Sequence, residues 1–292
     1  MAVLAILAIG LAALLLALLV YAFWIEPAMR LRVVRHQVRH PGWGDRAPLR
    51  IVIISDLHAG APHIPLRRVS RIVRRANALN PDVAVLLGDY SAAHRFTTGG
   101  TDKFQIIERL KAFTAPLGCY AVLGNHDWWQ DEKSLKNKTL PEAAKALDQH
   151  GIPLLENANV RLRDGADAFV LAGLADQRPQ SLDPEVPGFD DLDAALNGVA
   201  SDTPVVLLAH EPDIFPKVPD NVLVTLSGHT HGGQIRTFGF HPVIMVAETE
   251  TYSWGRYDRD AGQVLIVSGG IGCSDYPVRF GMVPEITVVE LS

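Results

Sequence analysis

The chain opens on an unbroken apolar run. Residues 1–25 carry no charged side chain and are rich in Leu, Ala, Val and Ile. A helix needs about 20 apolar residues to cross a bilayer, so this run is long enough. A helix buried in a soluble core is rarely apolar on every face over such a length. Tyr21, Phe23 and Trp24 stand at its carboxyl end, where aromatic rings favour the membrane–water interface. Glu26-Pro27 ends it. A secretory signal has a basic leading segment and a shorter apolar core, and no Lys or Arg precedes this run. The reading is therefore a single transmembrane anchor over 1–25 and a basic juxtamembrane linker over 26–48. Arg30, Arg32, Arg35 and Arg39 follow the span. The positive-inside rule then puts the remainder on the cytoplasmic face of the inner membrane, in a single-pass arrangement. The same arginines would lie beside anionic headgroups.

From residue 49 the pattern changes to short apolar runs separated by helical spacing. Runs at 51–54, 82–87 and 120–123 read as buried strands. Val69, Ile72, Val73, Ala76 and Leu79 recur at helical spacing, with Arg67, Arg68, Arg71, Arg74 and Arg75 between them. Ile106, Ile107, Leu110 and Phe113 mark a second helix. Thr139 and Glu142 have capping-box spacing at the start of a helix ending near 149, where Gly151 can stop it. Strands are expected at 160–162, 169–172, 205–208, 222–226, 264–267 and 286–291. A loop is expected over 177–188 and a short helix over 192–196. Strand–helix alternation early and strands late point to layered α/β sheets with outer helices. Residues 49–292 read as one domain.

Composition narrows the classes. With 292 residues, 20% of them charged, the chain has the make-up of a globular protein and not of a disordered one. A net charge of −5 and the lack of a basic aromatic groove argue against nucleic acid as a partner. Two cysteines, Cys119 and Cys273, are too few for a disulfide scaffold or a multi-cysteine zinc module. Each reads as a small buried apolar residue.

The loops after the strands carry the chemistry. The first strand is followed by Asp56-x-His58 and the second by Gly88-Asp89. Gly124-Asn125-His126-Asp127 follows the third, His210 the run at 205–208, and Gly228-His229-Thr230-His231 the run at 222–226. Open α/β sheets place their binding crevice at the carboxyl ends of strands. Two neighbouring cations need carboxylate, imidazole and carbonyl donors from several directions, and a central Asp can bridge them. No phosphate-cradling Gly-x-x-x-x-Gly-Lys motif is present.

These five blocks, in this order, resemble the calcineurin-like metallophosphoesterases. Asp-x-His or Gly-Asp alone would be weak; Gly-Asn-His-Asp and Gly-His-Thr-His-Gly-Gly-Gln are far more specific. The late Gly270–Gly272 and the stretch from Pro284 to Thr287 are similar to a membrane-anchored subgroup. The resemblance covers residues 51–292. It implies a four-layer αββα sandwich with two divalent metal ions (Mn, Fe or Zn). Asp56, His58, Asp89 and His231 would hold one ion, and Asp89, Asn125, His210 and His229 the other. It implies in-line attack on phosphorus by a hydroxide between the ions. His126 would contact the phosphoryl group or protonate the leaving oxygen, and Asp127 would orient His126. The block Gly88-Asp89-Tyr90-Ser91-Ala92 departs from the pattern Gly-Asp-x-x-Asp, and His94 is the candidate to compensate.

Singly, each histidine would read as a surface or hydrogen-bonded residue; jointly, after separate strands, His58, His126, His210, His229 and His231 read as a site. Trp128 and Trp129 divide between core packing and an apolar lip beside it. The arginines over 67–75 read as a solvated face that could also meet lipid. The expected activity is hydrolysis of a phosphate ester or pyrophosphate by a monomer at the membrane. The substrate is a phosphorylated small molecule or lipid, with UDP-2,3-diacylglucosamine as a lipid-linked candidate. The rivals are a broad phosphodiesterase or phosphatase, a metal-binding scaffold without turnover, and a nuclease.

Overall fold

The structure, a computed structural model, describes residues 1–137, 139–180, 186–237, 240–243, 251–260 and 262–292. Helix α1 (Ala2–Val20) runs on through wider π-type turns over Tyr21–Met29. Strands β1 (Arg32–Val38) and β2 (Leu49–Ile54) follow, then α2 (Leu66–Asn77), β3 (Val83–Leu87), α3 (Lys103–Leu110) and β4 (Cys119–Val122). Three helices come next: α4 (Asn125–Trp129), α5 (Glu132–Asn137) and α6 (Glu142–Gln149). The second half comprises β5 (Ala158–Leu162), β6 (Phe169–Gly173), α7 (Leu192–Ala195), β7 (Val205–Leu208) and β8 (Val222–Ser227). It ends with β9 (Ile235–Thr237), β10 (Phe240–Val243), β11 (Gly255–Asp258), β12 (Val264–Val267) and β13 (Glu285–Leu291).

These strands form two mixed sheets and a small hairpin. The first sheet has the order β1-β13-β2-β3-β4, and β2, β3 and β4 run parallel. The second has the order β11-β12-β8-β7-β6-β5, parallel from β12 to β6 with antiparallel edges. Strands β9 and β10 pair with each other. The central strands β3, β7 and β12 are apolar at every position because both of their faces are covered. Ile51 and Ile53 of β2 meet Val206, Leu208, Val224 and Leu226 in the core between the sheets. Val52 and Ile54 point the other way, into a core shared with α2, α3 and α6. Val205, Leu207, Leu265 and Val267 pack outward from the second sheet against Ile214 and Phe215. The layer order is thus helix, sheet, sheet, helix.

Three expectations meet a different outcome. The stretch read as a linker contains β1, which pairs in parallel with β13 over its whole length. Trp43 beyond it is buried and stacks at a tilt on Phe169. Strand β1 is polar because it lies at the sheet edge, where charged residues face solvent and discourage further pairing. Arg32 and Arg35 of this stretch reach Glu285 at 2.7 Å and Glu290 at 3.9 Å, so they are not simply free for lipid. Helix α6 lacks the expected cap: Pro141 occupies that position without a side-chain bond, and Asp131 Oδ2 accepts the Glu142 N–H at 3.0 Å. The arginines of α2 are not all solvated. Arg68 is buried and donates to the carbonyls of Pro27, His63 and Arg30. Of the loop read over 177–188, residues 181–185 lie outside the described residues.

The segment after α1 is docked on the domain. His63 Nε2 lies 2.8 Å from the Phe23 carbonyl, and the Arg279 N–H donates to the Ala22 carbonyl at 2.9 Å. Gly281 N–H donates to the buried Glu26 carboxylate at 3.2 Å. Tyr21 meets Phe280 edge-on at 6.0 Å.

Candidate metal centre

The carboxyl ends of β2, β3 and β4 in one sheet meet those of β7 and β8 in the other. Each end delivers its block to the same place. Asp56, His58, Asp89 and His231 are all buried, and each offers a ligand atom within 4.8 Å of the others. His210, Glu211 and His229 form a second such group. The two groups adjoin through Asp89: its Oδ2 lies 3.3 Å from His58 Nε2 and 3.4 Å from His210 Nε2. His58 Nε2 and His231 Nε2 face each other at 3.1 Å. Asn125 Oδ1 lies 3.0 Å from His229 Nδ1. Asp56 Oδ1 is 3.7 Å from His231 Nε2 and accepts the His229 N–H at 2.8 Å.

The backbone bends sharply to achieve this. Asp56, His58, Asp89, His229 and His231 all have positive φ, between 39° and 67°. Such a conformation costs a non-glycine residue on the order of 1 kcal/mol or more. Glycines stand where the chains press closest. A Cβ on Gly124 would come within 2.4 Å of Asp89 Oδ1 and 2.6 Å of His210 Nε2. One on Gly228 would come within 2.4 Å of Asp56 Oδ2. The late Gly-Ile-Gly stretch closes the wall, with Gly272 N–H donating to the Asp56 carbonyl at 2.7 Å.

Electrostatics keep several groups ready to bind a cation. Burial pushes Asp56 up against the pull of His210, and the adjoining Asp89 pushes it further. Burial opposes ionisation of Asp89 too, but the His210 and His126 rings hold its carboxyl well below the usual range. Burial holds His229 and His231 well below the ordinary imidazole value, helped by His210 in one case and His58 in the other. A neutral imidazole is the ligating form. His210 is the exception: burial is outweighed by the charge of Asp89, and its pKa is raised well above normal. Its Nδ1 lies 2.6 Å from the Leu87 carbonyl, which directs Nε2 at Asp89.

Two of the atoms left over suit a cation. His210 Nε2 and Glu211 Oε1 are buried without a hydrogen-bond partner among the described residues. Buried polar atoms are rarely left so. Carboxylates, imidazoles and an amide this close together fit a divalent ion, since the same carboxylates without one would repel each other.

The remaining expected residues divide. His126 lies at the rim of the cluster, its Nε2 3.3 Å from Ser274 Oγ and its ring edge-on to His58 at 4.9 Å. Asp127 does not orient it. The Asp127 carboxylate instead accepts the N–H groups of Asp89 at 2.9 Å, Tyr90 at 3.1 Å and Gly124 at 3.0 Å. It ties two of the loops together, and backbone geometry at the start of a short helix determines that. His94 does not take the place of the missing acid: its Nδ1 lies 3.2 Å from Thr97 Oγ1, outside both ligand groups. Trp128 packs in the core and against Phe189, whereas Trp129 lies 5.1 Å from the His126 ring. Trp129, partly buried, also packs against that core. Glu211, Ser274 and Arg279 were not anticipated. Arg279 is fully buried, 3.2 Å from His231 Nδ1, and donates to the Gly272 carbonyl. Adjacency to His210 was the signal for Glu211, and the Gly270–Gly272 stretch two residues before Ser274 the signal for that serine; nothing local marked Arg279.

A fold of two packed mixed sheets, with a buried Asp/His cluster at their joined carboxyl edges consistent with a divalent metal site, defines a metallohydrolase architecture. Residues 49–233 match the calcineurin-like phosphoesterase family, and the chain belongs to it. It is 31% identical over 258 residues to "Transmembrane protein with metallophosphoesterase domain" of Danio rerio, covering 83% of this chain and 53% of that one. It is 28% identical over 279 residues to "Uncharacterized metallophosphoesterase YkuE" of Bacillus subtilis, covering 93% and 88%. The chain spans about half the length of the vertebrate relatives it matches. Among solved structures, the NAD nucleotidase of Haemophilus influenzae aligns at 14% identity and a TM-score of 0.49, over 77% of this chain and 46% of that one.

Proposed function

We propose that the chain hydrolyses phosphate esters with two divalent cations at a membrane surface. The observation that carries this reading is the convergence of buried Asp and His ligand atoms, with Asn125 Oδ1 beside His229, from the ends of five strands. Asp56, His58, Asp89 and His231 would hold one cation; Asp89, Asn125, His210 and His229 would hold the other. Glu211 is a further carboxylate within reach of His229, 4.0 Å away. The donor set suits Mn, Fe or Zn. When bound, the cations supply Lewis-acid polarisation of a phosphoryl oxygen and acidify water. The chain's own residues do the rest. His126, neutral because burial lowers its pKa to about 4, offers one ring N–H to the phosphoryl group or the leaving oxygen. Ser274 steadies that ring, and Trp129 flanks the substrate beside it. Asp127 is a positioning residue that keeps the Asp89 and Gly124 loops in register.

The anchor supports the second half of the proposal. Residues 2–29 form one helix long and apolar enough to cross a membrane, and α1 buries none of its residues against the domain. The arginines that follow it favour a cytoplasmic domain. Confinement to a surface raises the effective concentration of a substrate held there. A phosphorylated lipid or a lipid-linked pyrophosphate, such as UDP-2,3-diacylglucosamine, is the substrate class this favours.

The test uses the full chain in detergent with bis(4-nitrophenyl) phosphate. Chelation should abolish turnover and Mn²⁺ or Zn²⁺ should restore it. Asp89→Ala and His229→Ala should each lower kcat/KM by roughly 10³-fold or more. Full activity in either well-folded variant would refute the site.

A further inference from the structure

Away from the metal centre, the seam between the end of the anchor and α2 encloses a cleft of about 540 Å³. Trp24, Met29 and Leu31 line it from the anchor segment; Arg67, Arg71 and Arg75 line it from α2. Arg68 lines it too. Its guanidinium is lowered to about 10 by burial, so it stays charged at neutral pH. Among the described residues, no ion pair joins Arg67, Arg68, Arg71 or Arg75 to a carboxylate. Arg68 and Arg75 bond only to backbone carbonyls, and Arg67 and Arg71 are exposed. Four uncompensated cations beside an apolar wall fit an amphiphilic anion.

The helix length fixes the depth. The 19 residues of α1 rise about 28 Å, close to the hydrocarbon thickness of a bilayer. Residues 21–29 then fall at the headgroup level, and the cleft they share with α2 falls there with them. Trp24 and Met29 are large apolar side chains left exposed at this level. Tyr and Trp prefer that interface, and a lipid bound there would give them acyl contact.

We infer that this cleft binds the phosphate headgroup of an anionic phospholipid from the surrounding bilayer, with Arg67 and Arg71 as its exposed phosphate contacts. The site is distinct from the metal centre and does not depend on the proposed hydrolysis; it depends on the anchor being in a membrane. It would fix how the domain sits on the bilayer.

The test is native mass spectrometry of the full chain in a neutral detergent, titrated with phosphatidylglycerol or phosphatidylcholine. Wild type should retain phosphatidylglycerol in preference. The double variant Arg67→Ala/Arg71→Ala should lose roughly thirtyfold in affinity for it, at the strength typical of two basic residues near an anionic surface. Its turnover of bis(4-nitrophenyl) phosphate should match wild type, which separates this proposal from that of the active site. Arg74→Ala, on α2 but outside the cleft, should keep the preference. Equal binding of the two lipids, or an equal loss in Arg74→Ala, would overturn the assignment. So would displacement of phosphatidylglycerol by millimolar inorganic phosphate, which would make a free anion the ligand.

Discussion

At the candidate metal centre, His210 Nε2 and Glu211 Oε1 are buried in one group with His229 and, among the described residues, have no hydrogen-bond partner. At the joint between the anchor and the domain, polar groups are also buried, but Arg68 shares its donors among three backbone carbonyls and Arg75 reaches a fourth. Glu26 Oε1 and His63 Nδ1 there lack partners too, yet they stand singly and not among other ligand atoms. An orphaned buried atom standing alone is a local cost, whereas orphaned atoms among converging carboxylates and imidazoles have the surroundings a cation requires. A saturated buried cation, by contrast, works as a structural clamp.

Asp127, a saturated group within the centre, tests this distinction through activity. Asp127→Asn keeps the shape and one acceptor oxygen but makes the other an NH2, so one or two of the three backbone N–H groups lose their acceptor. Activity with bis(4-nitrophenyl) phosphate should fall about 10- to 100-fold, the range seen when groups supporting metal ligands are changed. A loss equal to that of Asp89→Ala would make Asp127 part of the ligand set.

Arg68→Ala probes the clamp. It leaves the Pro27, His63 and Arg30 carbonyls without their donor and should cost about 2–4 kcal/mol of stability. Thermal melts of the full chain in detergent measure this. Metal content should be unchanged, because Arg68 touches no proposed ligand.

Glu156 sharpens the comparison from outside both regions. Its Oε1 is buried and unpartnered but belongs to no ligand group. Burial, helped by the charge of Asp127, raises its pKa from 4.5 to about 7. The folded state therefore holds this proton more tightly than the unfolded chain. Its contribution to stability is fully present below the unfolded value and is lost as pH rises to about 7. Glu156→Gln should match wild type at pH 4 and exceed it by about 1–3 kcal/mol at pH 8. Melts at the two pH values check the sign, and metal content should not move.

The smallest effect concerns Cys119, whose thiol burial pushes up to about 12. Iodoacetamide at pH 8 should leave it unmodified in the folded chain, as mass spectrometry of a tryptic digest would show.

Much of this was legible in the chain because central strands and their following loops obey local rules. β3 and β7 are apolar at every position and β2 and β8 nearly so, and all four end on blocks that no packing requirement explains. The candidate membrane span was legible for the same reason: α1 is apolar on all faces. Strands β1 and β11 were not, since an edge strand with Arg, His or Asp facing solvent has no apolar alternation to read. Helices α4 and α5 were hidden inside or just after a ligand block. The role of Asp127 was missed because its partners are backbone N–H groups brought near by the fold. Arg279 and Ser274 reach the site from a loop 43 or more residues after His231, and only the Gly270–Gly272 stretch just before them hinted at that return.

The most direct measurement is the metal content of the purified full chain by inductively coupled plasma mass spectrometry. Wild type should carry close to two divalent ions per chain. Asp89→Ala, lacking the shared carboxylate, should lose both, while His210→Ala should keep one. A wild-type chain with no bound metal, or an Asp89→Ala chain with its full complement, would contradict the binuclear centre.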